Sequence, residues 1–185
     1  MAGSVLVPIA DGTEEIEATC IIDVLRRAQA AVTVASVDAL QITASRGTRI
    51  VADCLIDDCA NEIYDLIALP GGMPGAEHLR DSKTLVALLT DQQDNGRMVG
   101  AICAAPVVVL QHHGLLAGHR ATCHPSFADQ LQNTRAIEQR VVVDGNCITS
   151  RGPGTALEFA VKLVQMLYGE GTANEIARAM LMAQR

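Results

Sequence analysis

Short aliphatic runs alternate with amphipathic segments along nearly the whole chain, and this alternation constrains the fold more than any other feature. The aliphatic runs are rich in β-branched residues and end at turn-forming residues, as buried strands do. Strands that alternate with helices predict an α/β protein with a mostly parallel, doubly wound sheet sandwiched by helices. The predicted strands are SVLVPI (Ser4 to Ile9), AVTVASV (Ala31 to Val37), QITASR, RIVADC, YDLIALPGG (Tyr64 to Gly72), MVGAI, RATC and the hairpin RVVVDGNCIT.

The segments between the strands place apolar residues at helical spacing. In the first of them, Glu14 to Ala28, glutamates crowd the first turn and arginines the last, which complements the helix dipole. A chain of 185 residues falls within the size of one domain, so we expect a single domain over 1–185. The other predicted helices are Ser82 to Asn95, AAPVVVLQHH, Thr155 to Tyr168 and Ala173 to Met182.

Composition excludes several classes of function. The formal net charge of −7 and the lack of a basic stripe argue against nucleic-acid binding. The longest apolar run is far short of the ~20 residues that a membrane span needs. The beginning, MAGSVLVPIADG, has no basic leader, so we expect a cytoplasmic protein with no membrane association.

The six cysteines carry no metal-site signature. They form no C-x-x-C pair and no zinc-type cluster, so no metal is expected. In a cytoplasmic chain most of them should be buried, reduced and inert. Local context must therefore identify any reactive thiol.

Cys103 has such a context. It lies where MVGAI gives way to a predicted helix, and the small residues Ala101 and Ala105 flank it, as a nucleophile elbow requires. Pro106 fits the first turn of that helix. Unpaired N–H groups there, such as that of Ala104, would favour a thiolate and hold a substrate oxyanion. A buried structural cysteine is the alternative.

Cysteine chemistry also needs groups that move protons. Among the five histidines, His124 is the candidate, because it ends the RATC strand and precedes a proline at a strand edge. Glu17 lies near the apolar face of the first helix. A partly buried carboxyl there would have a raised pKa and could donate a hydrogen bond to a thiolate.

Five motifs resemble one known family. DGTEEIEA, LPGGMPGAEHLRDS, GAICAAP, CHPSF and TSRGPGTALEFA occur in order over essentially the whole chain. Together they resemble the ThiJ/PfpI superfamily, in particular its branch that contains the parkinsonism-associated protein deglycase and bacterial homologues. The resemblance implies a flavodoxin-like sandwich and a homodimer.

The resemblance also implies roles for individual residues. Cys103 would be the nucleophile and oxidation-sensitive thiol, Glu17 the protonated acid at its sulfur, and His124 a nearby base. The remaining implied positions are Gly71 and Gly72, whose N–H groups would face the thiol, and Arg27 and Arg46, near the dimer interface and pocket.

The family's activities supply the functional expectation. They are conversion of methylglyoxal or glyoxal to hydroxy acids without glutathione, and removal of early glycation adducts from proteins and nucleotides. The second activity can follow from the first, because consumption of free aldehyde draws adducts back toward dissociation. Protection against carbonyl and oxidative stress and a chaperone role are also implied, and no cofactor is.

Other functions remain open on the sequence. A redox sensor or redox-regulated chaperone would use oxidation of Cys103 itself. A glutaminase would need a later histidine, which is absent after His124, and a peptidase of the superfamily would need a more exposed one. SRGPG could cradle a phosphate at a helix start, although we interpret it as a structural turn. Cys123 could resolve an oxidised Cys103 as a disulfide, or could be an inert core residue.

Overall fold

The computed structural model describes residues 2–182, and its central feature is a seven-stranded sheet. The strands of the protein are β1 (Ser4–Ile9), β2 (Ala31–Ser36), β3 (Gln41–Thr43), β4 (Arg49–Val51), β5 (Cys54–Leu55), β6 (Leu66–Leu69), β7 (Met98–Ile102), β8 (Val141–Asp144) and β9 (Cys147–Ser150). All of them except β3 and β4 belong to this sheet, in the order β5-β2-β1-β6-β7-β9-β8, and every neighbouring pair is parallel except β8 and β9. This is the predicted flavodoxin-like α/β fold.

Helices cover both faces of the sheet and enclose two hydrophobic clusters. One cluster is built from α1 and α4 against the sheet, the other from α2, α3 and the segment after β7. Gly100 in β7 lets α4 approach closely, because a Cβ there would lie 3.0 Å from Leu163 Cδ2 and 3.1 Å from Phe159 Cζ. The helices are α1 (Glu15–Arg27), α2 (Gly75–Asp81), α3 (Lys83–Asp94), α4 (Ala156–Tyr168) and α5 (Glu170–Ala179).

Three stretches differ from the sequence prediction. The AAPVVVLQHH segment is a π-helix over Pro106–Gln111 rather than an α-helix, and α2 follows the Gly-Gly turn where no helix was predicted. The RATC strand is wrong, because residues 120–123 form no strand. Strand β9 is already paired on both edges by β7 and β8, so Thr122 N–H donates to the Thr149 hydroxyl instead.

The carboxyl ends of the parallel strands carry the candidate residues. The turns after β1, β6 and β7 meet at this edge: Glu14 N–H donates to the Gly71 carbonyl (2.9 Å), and Cys103 N–H donates to the Ser150 carbonyl (3.0 Å). Among residues 2–182, no helix is both long and apolar enough to cross a membrane.

Candidate active site

Cys103 lies on a sharp, strained turn directly after β7. Its φ of +66° lies in the left-handed region, which is unusual for a residue other than glycine. Its carbonyl accepts a hydrogen bond from His124 N–H (2.9 Å), which together with the Ser150 contact fixes the turn on both sides. The residue is 9% exposed. This is the nucleophile elbow that the flanking alanines predict.

Two backbone amides point at the thiol. The N–H groups of Gly72 and Ala104 both hydrogen-bond the Cys103 sulfur. They come from the turn after β6 and from the elbow itself, so they approach the sulfur from two elements. Such a pair stabilises negative charge on sulfur or on an adjacent oxygen.

Gly71 differs from its neighbour. Its N–H donates to Glu17 Oε2 (2.8 Å) and not to the thiol, which corrects the expectation for this residue. A Cβ on Gly71 would lie 2.6 Å from Cys103 Cβ and 2.9 Å from Glu17 Oε2. Glycine is therefore required for these two side chains to meet.

Glu17 is fully buried beside the thiol. Glu14, the N-cap of α1, accepts from Glu17 N–H (2.8 Å), and this fixes the first turn that carries the carboxyl. Burial, with a smaller contribution from the negative charge of Glu14, raises the pKa of Glu17 to about 7, against the opposing effect of the Gly71 hydrogen bond. The side chains of Glu17 and Cys103 also interact directly, and each shifts the pKa of the other.

The thiol is not ionised as readily as its position after a strand suggests. Burial, and then the negative charge of Glu17, raise the pKa of Cys103 to about 12, although the amides of Gly72 and Ala104 oppose this. The expected low pKa is therefore corrected: desolvation outweighs the two amides. The pair resists carrying two negative charges, so a thiolate requires neutral Glu17.

His124 lies beside this pair at the start of a 3₁₀ turn, Pro125–Gln130. Its ring Nδ1 accepts a hydrogen bond from Ser126 N–H (3.2 Å). The neutral ring therefore carries its proton on Nε2. His124 is half-buried, and its backbone N–H connects it to the elbow at the Cys103 carbonyl.

Gly152 is a site residue that the sequence analysis missed. A Cβ on it would lie 3.3 Å from His124 Cδ2 and 4.0 Å from Glu17 Oε1. This oxygen is buried and has no hydrogen-bond partner among the described residues. Because Oε2 accepts from Gly71, Oε1 is the oxygen that would carry the proton of a neutral carboxyl. The sequence signal that could have identified Gly152 was the SRGPG motif, which lies at the end of β9, the strand next to β7.

The two arginines expected near the pocket lie away from this cluster within one chain. Arg27 pairs with Asp23 (2.6 Å) at the far end of α1. Arg46 is exposed, and its backbone N–H donates to Glu15.

Cys123 is fully buried and packs in the opposite hydrophobic cluster from Cys103. The two cysteines therefore lie in clusters on different faces of the sheet, and the structure favours the inert interpretation of Cys123. Within the described range, no group of three or more histidine, cysteine or acidic side chains could hold a metal ion.

Comparison with known proteins now identifies the family. The model of the DJ-1/PfpI family matches residues 3–166. The chain belongs to the DJ-1/PfpI family. One relative is the glutathione-independent glyoxalase DJR-1.2 of Caenorhabditis elegans. The two sequences are 37% identical over 97% of this chain and 96% of that protein.

A solved structure and two further relatives agree with membership of the DJ-1/PfpI family. The structure of oxidized Toxoplasma gondii DJ-1 superimposes with a TM-score of 0.96 at 50% identity, covering 99% of this chain and all of that one. Protein DJ-1 homolog B of Arabidopsis thaliana is 49% identical over 96% of this chain, which spans 41% of that protein. The chain thus spans less than half the length of the Arabidopsis DJ-1 relatives.

Proposed function

We propose that the protein is a cysteine-dependent, glutathione-independent glyoxalase that converts methylglyoxal or glyoxal to the hydroxy acid. The observation that carries this proposal is the Cys103 thiol, which meets the Glu17 carboxyl, with a pKa of about 7, and two backbone amides in one buried corner. A relative named as a glutathione-independent glyoxalase supports it.

The first step is addition of sulfur to the aldehyde. The Cys103 thiol gives its proton to the Glu17 carboxylate, the resulting thiolate attacks the aldehyde carbon, and the neutral Glu17 returns the proton to the developing oxyanion to give a hemithioacetal. The amides of Gly72 and Ala104 stabilise negative charge on sulfur before attack, and on oxygen as it develops. Both amides are fixed by backbone structure, so they need no reorganisation during the step.

The second step is an internal oxidation and reduction. A proton moves from the former aldehyde carbon to the neighbouring ketone carbon through an enediol, which leaves a thioester of the 2-hydroxy acid. Glu17 and His124 are the groups placed to relay this proton. Water then hydrolyses the thioester, releases the hydroxy acid and restores the thiol, so the net reaction adds one water to the 2-oxoaldehyde.

Early glycation adducts of proteins and nucleotides are proposed as secondary substrates. A hemithioacetal or aminocarbinol adduct that releases its aldehyde would supply substrate to the same cysteine. A comparison of methylglyoxal with a preformed glycated peptide under aldehyde-trapping conditions separates direct attack from consumption of free aldehyde.

The decisive experiment measures lactate formed from methylglyoxal. The Cys103→Ser variant is expected to lose activity by at least about a thousandfold, because an alcohol is a far weaker nucleophile at neutral pH. Cys123→Ala is the matched control, because it removes a buried thiol that packs on the other face of the sheet. This variant should retain most activity. A Cys103→Ser protein with near-normal turnover would refute the assignment.

A redox sensor is the second candidate, and the amide pair at Cys103 favours it. Gly72 and Ala104 could hold the oxygens of a sulfinic acid as well as those of a substrate. Turnover near zero on small aldehydes, with Cys103 still oxidised by peroxide, would favour this function over the glyoxalase.

We also propose a cytoplasmic homodimer. All six cysteines are free thiols, which suits a reducing compartment. Large apolar side chains are exposed at the start of α1 and on β4: Ile16 (52%) and Val51 (66%). Burial of this face against a second copy would remove them from water.

A further inference from the structure

A second pair of thiols lies far from the candidate active site. Cys54 Sγ and Cys59 Sγ are 3.6 Å apart, in contact but not bonded. Cys54 belongs to β5, the edge strand, which is separated from β7 and Cys103 by three strands. The pair is therefore chemically independent of the nucleophile.

The backbone between the two cysteines holds them together. Cys54 lies two residues before a 3₁₀ turn, Ile56–Cys59, and Cys59 is the last residue of that turn. Asp58 Oδ2 accepts from Leu55 N–H (3.1 Å) and closes the turn. Thr84, at the start of α3, donates to Asp57 Oδ1 (2.5 Å) and fixes the turn against the body of the protein. From their separation of 3.6 Å, the sulfurs must approach by about 1.5 Å to reach the S–S bond length of about 2.05 Å.

The two thiols differ in their access to solvent. Cys59 is 2% exposed, and its sulfur also hydrogen-bonds the buried Tyr64 hydroxyl. Cys54 is half-buried, so a reagent reaches it first. One accessible thiol with a second thiol behind it is the arrangement that resolves a mixed disulfide.

We propose that Cys54 and Cys59 form a reversible dithiol–disulfide site that exchanges with small disulfides of the glutathione class. Cys54 thiolate attacks one sulfur of the small disulfide, forms a mixed disulfide and releases one small thiol. Cys59 thiolate then attacks Cys54 sulfur and releases the second. Two protein thiols are oxidised, one small disulfide is reduced to two thiols, and an excess of small thiol reverses both steps.

The rate of this exchange should depend steeply on pH. Burial, followed by the hydrogen bond and charge of Cys59, raises the pKa of Cys54 to about 11. Since the thiolate is the attacking species, the rate should rise about tenfold for each pH unit between 7 and 9. The site therefore responds to sustained oxidising conditions rather than to a brief pulse.

The test is peptide mass mapping of the whole protein after equilibration in oxidised and reduced glutathione. Trypsin releases both cysteines in one peptide, residues 50–80, which contains no other cysteine. In oxidised glutathione this peptide should lose two hydrogens and resist alkylation, and reduced glutathione should reverse this. Cys59→Ser should instead retain a glutathione adduct on Cys54.

Matched variants distinguish the proposed bond from other chemistry. Cys20→Ser changes another half-buried thiol and should leave the oxidised peptide unchanged, and Cys103→Ser should do the same. Two free thiols in the 50–80 peptide of the folded protein in excess oxidised glutathione at pH 9 would overturn the proposal. A disulfide between the Cys54 residues of two chains, seen as a dimer on a non-reducing gel, would also overturn it.

Discussion

Cys103 shows how opposing effects decide the state of a single side chain. The two amides at its sulfur favour the thiolate, as the elbow predicted, but burial and the neighbouring Glu17 carboxylate raise its pKa to about 12. Reactivity therefore depends on the protonation state of Glu17, whose own pKa lies near neutrality. The two residues act as one ionisable unit.

The first prediction concerns the free energy of unfolding of Glu17→Gln as a function of pH. The native state holds a proton on Glu17 that the unfolded chain releases between pH 4.5 and about 7, so wild-type stability falls as pH rises through this window. Glutamine stays neutral and can still accept from Gly71 N–H. The variant should be more stable than wild type by about 1 to 3 kcal/mol at pH 8, with no difference near pH 4.

Urea unfolding at a series of pH values measures this difference. Glu62→Gln, a change at an exposed glutamate, serves as the control and should show a flat difference across the same range. A Glu17→Gln protein that is less stable than wild type at pH 8 would contradict a raised pKa for this carboxyl.

The second prediction concerns Gly152. An added methyl would lie 3.3 Å from His124 Cδ2, so the imidazole must move by a few tenths of an ångström. Gly152→Ala should lower kcat/KM for methylglyoxal by about fivefold or more, because small displacements of a proton-transfer group are costly. Gly154→Ala is the control within the same turn, since nothing lies within 4 Å of its Cβ position.

Steady-state kinetics on both proteins, with thermal unfolding to confirm folding, checks this prediction. Equal activities of the two variants would show that the ring of His124 has no role in turnover.

Among the elements, the junction between β9 and α4 positions the loop that closes the site. The Thr155 hydroxyl accepts from Gly152 N–H (3.1 Å), donates to the Gly152 carbonyl (2.9 Å) and contacts Ser150 Oγ (2.7 Å). We therefore interpret SRGPG as a structural turn, in which one hydroxyl engages both the N–H and the carbonyl of Gly152.

The third prediction follows from this junction. Thr155→Val keeps the shape of the side chain but leaves Gly152 N–H without its partner in a buried place, which should cost about 1–3 kcal/mol of stability. Thr155→Ser retains the hydroxyl and should lose clearly less. Chemical denaturation compares the two, and equal losses would contradict the prediction, because the hydroxyl would then contribute no more than the methyl group.

Element prediction succeeded where the sequence pattern and the tertiary structure agree. Strands β1 to β4, β6 and β7, the β8–β9 hairpin and α4 follow directly from aliphatic runs and turn residues, whereas the short edge strand β5 was not predicted. The RATC strand failed because its pattern could not reveal that β9 is already paired on both sides. The π-helix after Cys103 was predicted as an α-helix because its residues match α-helical spacing as well.

At the scale of the whole molecule, part of the site was readable from the sequence and part was not. Cys103 follows a strand, Glu17 lies in the first turn of a helix and His124 precedes a proline. All three are local signals that a sequence shows. Gly152 becomes a site residue only because β9 lies beside β7, which is a property of strand order. The Gly71 hydrogen bond to Glu17 likewise depends on the distance between two turns.

The fourth prediction concerns the proposed homodimer. Val51 is 66% exposed on β4, so Val51→Asp should leave the folded chain intact while placing a charge in the apolar face. We expect the wild type to sediment as a dimer and the variant as a monomer. A monomeric wild type at micromolar concentration would refute the dimer, and a dimeric variant would place the interface on another face.

The left-handed backbone at Cys103 has a consequence for how this protein tolerates change. Glycine adopts such a conformation without the steric conflict of a side chain, so Cys103→Gly should relieve local strain even as it removes the nucleophile. Directed evolution that selects only for heat resistance would therefore favour a variant that is more stable but inactive. Any such campaign needs a turnover screen beside the thermal one.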